Sequence, residues 1–249
     1  GAVAVWMGVL NPLVILHLVG GIHNEAVMMG ILLIGLELGL RGIDALNAGL
    51  VKRRGVVLLV VSGALITCAG MVKVPGFLAL GFVGMSLARR WGGWTGIAKA
   101  AAVQTLIMVT TIAAVTAATR IGLGWVTGQG GAASIRSWLS LTTDIGVISA
   151  FFARLLGLGD HSEATLAIAR TVGLVVAVAF CVRMLWATFK GTIHPVGGLG
   201  VATLVLVLLF PVVHPWYPLW GIMPLAAWAN RRFFRVAVAG YSAVFSFLV

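Results

Sequence analysis

The sequence predicts an all-α, polytopic membrane domain of about eight to nine apolar helices, and three observations lead there. Of 249 residues, 61% are hydrophobic and 9% charged, with a mean hydropathy of +1.10, which leaves too few polar side chains to coat a soluble globule of this size. Charges and prolines divide the chain into long runs that are helical in period or continuously apolar. None shows the alternation of a membrane barrel, and in lipid only helices or closed barrels satisfy their own backbone.

Taken in order, the apolar segments run over about 3–19, 26–43, 55–72, 74–88, 97–118, 164–187, 197–213 and 216–230, with a ninth starting at 236. The first is interrupted by Asn11-Pro12 and by His17, and 74–88 is short for a bilayer, so each is expected to be a half-span or re-entrant helix. Gly35 and Gly39 have the spacing of close helix packing. Residues 119–163 form the long connection, and within it Ser134–Ser140 reads as a short amphipathic helix lying at the interface. The chain opens at Gly1 without Met, and only 14 residues follow Arg235, whereas a span needs about 20. Both ends are therefore expected to be cuts, with 1–249 part of a single transmembrane domain.

Seventeen Lys and Arg against six Asp and Glu give a net charge of +11, but no basic cluster is interleaved with aromatics, which argues against a nucleic-acid partner. The cations instead sort by connection. One set holds Arg41, Lys52, Arg53, Arg54, Arg89, Arg90, Lys99, Arg183, Lys190, Arg231, Arg232 and Arg235 with Glu37 and Asp44, net +10. The other holds Lys73, Arg120, Arg136, Arg154 and Arg170 with Glu25, Asp144, Asp160 and Glu163, net +1. The positive-inside rule makes the first set cytoplasmic. Residues 20–25, 72–76, 119–163 and 213–217 then share the non-cytoplasmic face of the cytoplasmic membrane.

Ionisable groups at a membrane edge are expensive, and their default reading is functional. His23, Asn24 and Glu25 fan out at a helix start after Gly20-Gly21; capping by Asn24 and dipole complementation by Glu25 is the plainer alternative. Lys73, alone before Pro75-Gly76, either snorkels or binds an anion. Arg136 either holds a phosphate with its fork or pairs with Asp144. The run from His214 through Trp216 and Tyr217 to Trp220 is an aromatic girdle element at the end of a span, which either anchors at the interface or serves a site. Cys68 and Cys181 lie alone in apolar runs, and neither a disulfide framework nor a Cys-based metal site is expected. Glycine pairs at 122–124 and 197–200 follow no strand, so neither is a nucleotide loop. Glu37 has no evident partner, and His161 beside Asp160 and Glu163 reads as solvated surface. No metal site or cofactor is expected.

The stretch Asn11-Pro12-Leu13 through His17, Gly20-Gly21-Ile22-His23-Asn24-Glu25-Ala26 resembles a segment of actinobacterial polyprenyl-phosphomannose-dependent α-(1→6)-mannopyranosyltransferases, multispanning glycosyltransferases of the GT-C class. Val72–Gly76, Ile135–Ser140 and Val213–Trp220 extend the resemblance, in order, along nearly the whole chain. It implies an inverting transfer of mannose from a polyprenyl-phosphate donor to the α-(1→6)-mannan core of lipomannan and lipoarabinomannan, outside the membrane. Such chemistry needs a carboxylate for the acceptor proton and cations for the departing phosphate. On this reading Glu25, His23 and Asn24 are catalytic, Lys73, Arg136 and His214 face the phosphate, and Trp138, Trp216 and Tyr217 stack on sugar or lipid. In this class the essential carboxylate usually lies in the first external loop, which would precede Gly1, and the family often carries Asp where Glu25 stands. Two other classes fit less well. A secondary transporter or lipid flippase would show internal repeats, and a structural scaffold would not gather polar residues on one face.

Overall fold

The structure of the protein, a computed structural model, describes residues 1–49, 52–127 and 135–247. Among the described residues every regular element is helical, as composition and period require. Helix α1 (Ala2–Gly8) stops before Asn11-Pro12, and a π-helical turn (Val14–Gly20) completes the broken first segment. Helices α2 (Glu25–Asn47) and α3 (Lys52–Val72) form a tight pair. The glycines of α2 make this possible: a Cβ at Gly35 would stand 2.8 Å from Ile66, and one at Gly42 would stand 3.0 Å from the Gly55 carbonyl. Small residues let backbones approach where lipid offers no hydrophobic drive to associate.

A 3₁₀ turn (Val74–Phe77) leads into α4 (Leu78–Trp91), followed by α5 (Gly93–Thr119). At 14 residues α4 is short for a bilayer. It is instead wrapped by α2, α5, α8 (Ser162–Lys190) and α9 (Pro195–Leu209), and its Phe82, Val83, Leu87 and Ala88 are buried in the main core. Protein surrounds it, so it has no need to match the hydrocarbon thickness. A turn of helix at Gly124–Thr127 precedes a helix at Leu141–Leu155, here α6 and α7. The chain ends with α10 (Leu219–Trp228) and α11 (Arg232–Phe245). Among the described residues α2, α3, α5 and α8 are long and apolar enough to cross a membrane.

The 119–163 connection differs from expectation. Ser134 lies outside the described residues, and 135–140 is not a helix but a turn-containing strap. Its polar side chains explain why: Ser137 Oγ donates to the Val213 carbonyl at 2.5 Å, and Ser140 Oγ donates to the Phe210 carbonyl at 2.6 Å. Hydroxyls bonded to a neighbouring element hold the backbone away from the helical alternative. Ser140 then caps α7 by accepting from Thr143 N. Helix α7 packs on α8, where a Cβ at Gly146 would stand 2.8 Å from Leu166 Cα, while Ile145, Ile148, Phe151, Phe152 and Leu155 remain exposed. The amphipathic helix thus begins just after the predicted one. Glu37 is exposed and pairs with Arg41 at 2.7 Å, the i,i+4 partner that the linear reading left unassigned.

Candidate functional site

The start of α2, the α3–α4 turn and the segment before α10 meet at one end of the bundle. Asn11 builds the approach: buried, it accepts from Leu13 N at 2.9 Å and donates to the Met7 carbonyl at 3.2 Å, so it bridges the break in the first segment. The π-helical turn, a geometry that recurs at functional sites, buries His17. Gly21 follows, where a Cβ would stand 2.6 Å from the His17 carbonyl and 2.9 Å from the His23 ring. Ile22 then adopts φ +52 although it is β-branched and 88% exposed. Nothing its own side chain touches rewards that conformation, which costs about 1–3 kcal/mol. The strained turn delivers His23 onto Trp216, with ring centroids 4.0 Å apart, and Glu25 into the interior at 2% exposure.

Lys73 arrives from the other side. It leaves α3 in extended backbone, and Gly76 packs directly on the Ala69 backbone, which closes the turn. Its Nζ donates to Glu25 Oε1 at 2.5 Å and to the Tyr217 hydroxyl oxygen at 2.9 Å, and lies 4.2 Å from the centre of the Tyr217 ring. Trp216 Nε1 donates to the same Glu25 Oε1 at 3.2 Å. The Trp216 indole also stacks with His17 at 5.0 Å and His214 at 4.8 Å, so three imidazoles surround one indole. Glu25 is therefore a buried carboxylate neutralised by one ammonium and oriented by one indole N–H. Burying such a charge is tolerable only when it is paired and hydrogen-bonded.

The structure thus brings together His23, Glu25, Lys73, His214, Trp216 and Tyr217. Asn24 does not join them: it stands at the N-cap of α2 with an exposed side chain that makes no capping hydrogen bond, while Glu25 does lie in the first turn, as the alternative reading had it. Arg136 pairs with Glu163 at 2.6 Å rather than with Asp144, and both are exposed. Trp138 is exposed and stacks loosely on Phe245, with centroids 6.4 Å apart. Both flank Ser137, whose bond to Val213 keeps them near the rim. Burial first, and then the Lys73 ammonium, push His214 below its ordinary pKa and favour its neutral form. Of His214 and Lys73, it is accordingly Lys73 that brings positive charge to the cluster.

The sequence reading puts Trp220 in the interfacial aromatic run and gives neither His17 nor Trp220, both buried, a place in the site. Their Nε2 and Nε1 atoms have no hydrogen-bond partner among the described residues, and Lys73 Nζ lies 5.0 Å from the Trp220 ring. The aromatic spacing of 216–220 and the His in the broken first segment were the available signals. No group of three or more His, Cys, Asp or Glu among the described residues is arranged to hold a metal ion.

Known proteins carry sequences similar to this one. The chain is 58% identical to α-(1→6)-mannopyranosyltransferase B of Corynebacterium glutamicum over 98% of its length and 41% of that protein's. It is 41% identical to an α-(1→6)-mannopyranosyltransferase of Mycobacterium tuberculosis, over 94% of the chain and 46% of the relative. A probable α-(1→6)-mannopyranosyltransferase of Mycolicibacterium smegmatis is 44% identical, with 94% and 44% covered. The chain therefore spans less than half the length of these curated relatives. No solved structure matches it. Residues 1–89 match the family model described as α-(1→6)-mannopyranosyltransferase, N-terminal domain, and residues 142–249 match the MptB C-terminal domain. The two matched regions contain Glu25 and Lys73 on one side and His214, Trp216 and Tyr217 on the other, and with them the chain belongs to the α-(1→6)-mannopyranosyltransferase family.

Proposed function

We propose that this chain forms the lipid-phosphate side of a membrane mannosyltransferase, which takes mannose from a polyprenyl-phosphate donor and adds it to an α-(1→6)-mannan glycolipid at the non-cytoplasmic face. The observation that carries the reading is the Glu25–Lys73 pair at the membrane edge, ringed by Trp216 and Tyr217. An ammonium has three N–H donors, and two of those of Lys73 are engaged by Glu25 and Tyr217. The third is left for a phosphate oxygen, where it stabilises charge as the sugar departs. Proton removal from the acceptor calls for a carboxylate free of a bound cation, so Glu25 is here a positioning residue that aims Lys73.

Trp216 and Tyr217 offer flat faces for a pyranose, and the His214 and His23 rings offer hydrogen bonds to its hydroxyls. Arg136 can leave exposed Glu163 at little cost and add its fork to the same phosphate. The orientation is supported by α2, whose 23 residues span about 34 Å, close to the thickness of a hydrocarbon core. Its Glu25 end carries this site, and its Asn47 end meets Arg90 and the cation-rich connections. The test is transfer by the full-length protein in membranes, from mannosyl-phosphopolyprenol to a short α-(1→6)-mannoside. Use of GDP-mannose while polyprenol-phosphate mannose synthesis is blocked overturns the donor assignment.

A further inference from the structure

At the opposite end of the bundle, α2, α4 and the start of α9 enclose a cavity of about 430 Å³, within the range of small-ligand sites. Arg89 and Arg90 stand on its wall with Ser86, Thr188 and His194. Arg90 Nη1 donates to the Asn47 side-chain oxygen at 2.6 Å, a neutral acceptor that leaves its charge uncompensated. Arg89 has no acceptor or ion-pair partner among the described residues. Its exposed guanidinium lies against Gly191, a residue at φ +73 where a Cβ would collide with it. Asp44 is the acid of the lining, and it forms no ion pair with either arginine. His194 caps α9 by accepting from Val196 N through Nδ1 at 3.3 Å, which puts its proton on Nε2 as a further donor. Leu40, Ile43 and Pro195 complete the wall with apolar surface.

We propose that this cavity binds a phosphate-bearing anion, and that the anion is the head group of an acidic phospholipid. Two guanidiniums with no carboxylate bonded to either supply the parallel N–H pairs that match phosphate oxygens. The apolar wall lies at the end of a span, where acyl chains begin. The site is separate from the Glu25–Lys73 cluster and does not depend on the reaction assigned to it.

The test is native mass spectrometry of the full-length protein in neutral detergent, titrated with phosphatidylglycerol, phosphatidylcholine or glycerol phosphate. Wild type is expected to retain one phosphatidylglycerol in preference to phosphatidylcholine, and Arg89→Gln with Arg90→Gln to weaken it at least about tenfold. Arg53→Gln removes a cation from the same end but outside the cavity, and is expected to leave retention unchanged. Competition by glycerol phosphate at similar concentration assigns the site to soluble phosphates, and failure to compete assigns it to lipid; either supports a phosphate site. Equal weakening by Arg53→Gln, or none in the double variant, overturns it. Should the double variant fail to insert, Arg89→Lys decides: it keeps the charge and loses the fork, so retention should fall partway, and unchanged retention overturns the proposal.

Discussion

Glu25 Oε1 and Lys73 Nζ meet at 2.5 Å although 48 residues separate them, and the contact closes two helix ends on one buried charge pair. Removing one partner strands the other. Lys73→Met should destabilise the protein by about 3–5 kcal/mol, whereas Glu25→Gln with Lys73→Met should recover most of that loss and remain inactive. Thermal melting in detergent beside a transfer assay checks both; a double variant as unstable as the single would show that the pair does not carry the cost.

Trp216 separates hydrogen bonding from stacking. Trp216→Phe loses the N–H to Glu25 but keeps a ring among His17, His23 and His214, so the melting temperature should fall less than in Trp216→Ala while kcat/KM falls roughly ten- to a hundredfold. Trp216→Ala should lower both. Steady-state kinetics at varied donor concentration, paired with melts, distinguishes the two variants.

Arg136 and Glu163 are exposed, and such pairs contribute about 0–1 kcal/mol. Glu163→Gln should leave stability unchanged and donor affinity unchanged or improved. Arg136→Ala should weaken donor affinity, and Arg136→Lys should retain part of it. Equal affinity across all three, measured as donor KM, would remove Arg136 from the phosphate.

His214 gives the pH dependence a sign. Burial and Lys73 hold its folded pKa below the ordinary 6.5, so the unfolded chain binds the proton more readily. Its contribution to stability is fully present above about pH 6.5 and is lost as pH falls through the folded value. Melting curves of wild type and His214→Gln should run parallel at pH 8 and converge or cross on acidification below 6.5. Parallel curves throughout would show that the imidazole does not titrate with unfolding.

The charge partition supplies a topological prediction. Single cysteines at 41–49 and 89–96 should label only from the cytoplasm, and those at 135–145 only from outside. Labelling of 135–145 from the cytoplasm would place the Glu25 site on the wrong side.

Helix ends and the polar residues at them were legible because a bilayer makes every charge conspicuous: Glu25, Lys73 and His23 stood out against uncharged runs. The partners were not legible. Trp216 reaches Glu25 across 191 residues, and periodicity reports which face of one helix is apolar, not which other helix meets it. The strap at 135–140 differs from the expected helix although Ile135, Trp138 and Leu139 have helical spacing, because the decisive bonds run from Ser137 and Ser140 to carbonyls 76 and 70 residues away. His17 was seen only as an interruption, since a π-helical turn leaves no periodic trace.

Three hydroxyls, of Ser137, Ser140 and Thr143, tie the strap and the first turn of α7 to the carbonyls of Val213, Phe210 and Pro211, immediately before His214. The strap and the first turn of α7 are thereby fastened to the backbone that leads directly into His214, Trp216 and Tyr217, so where that aromatic rim stands is set jointly by two segments about 70 residues apart in the chain.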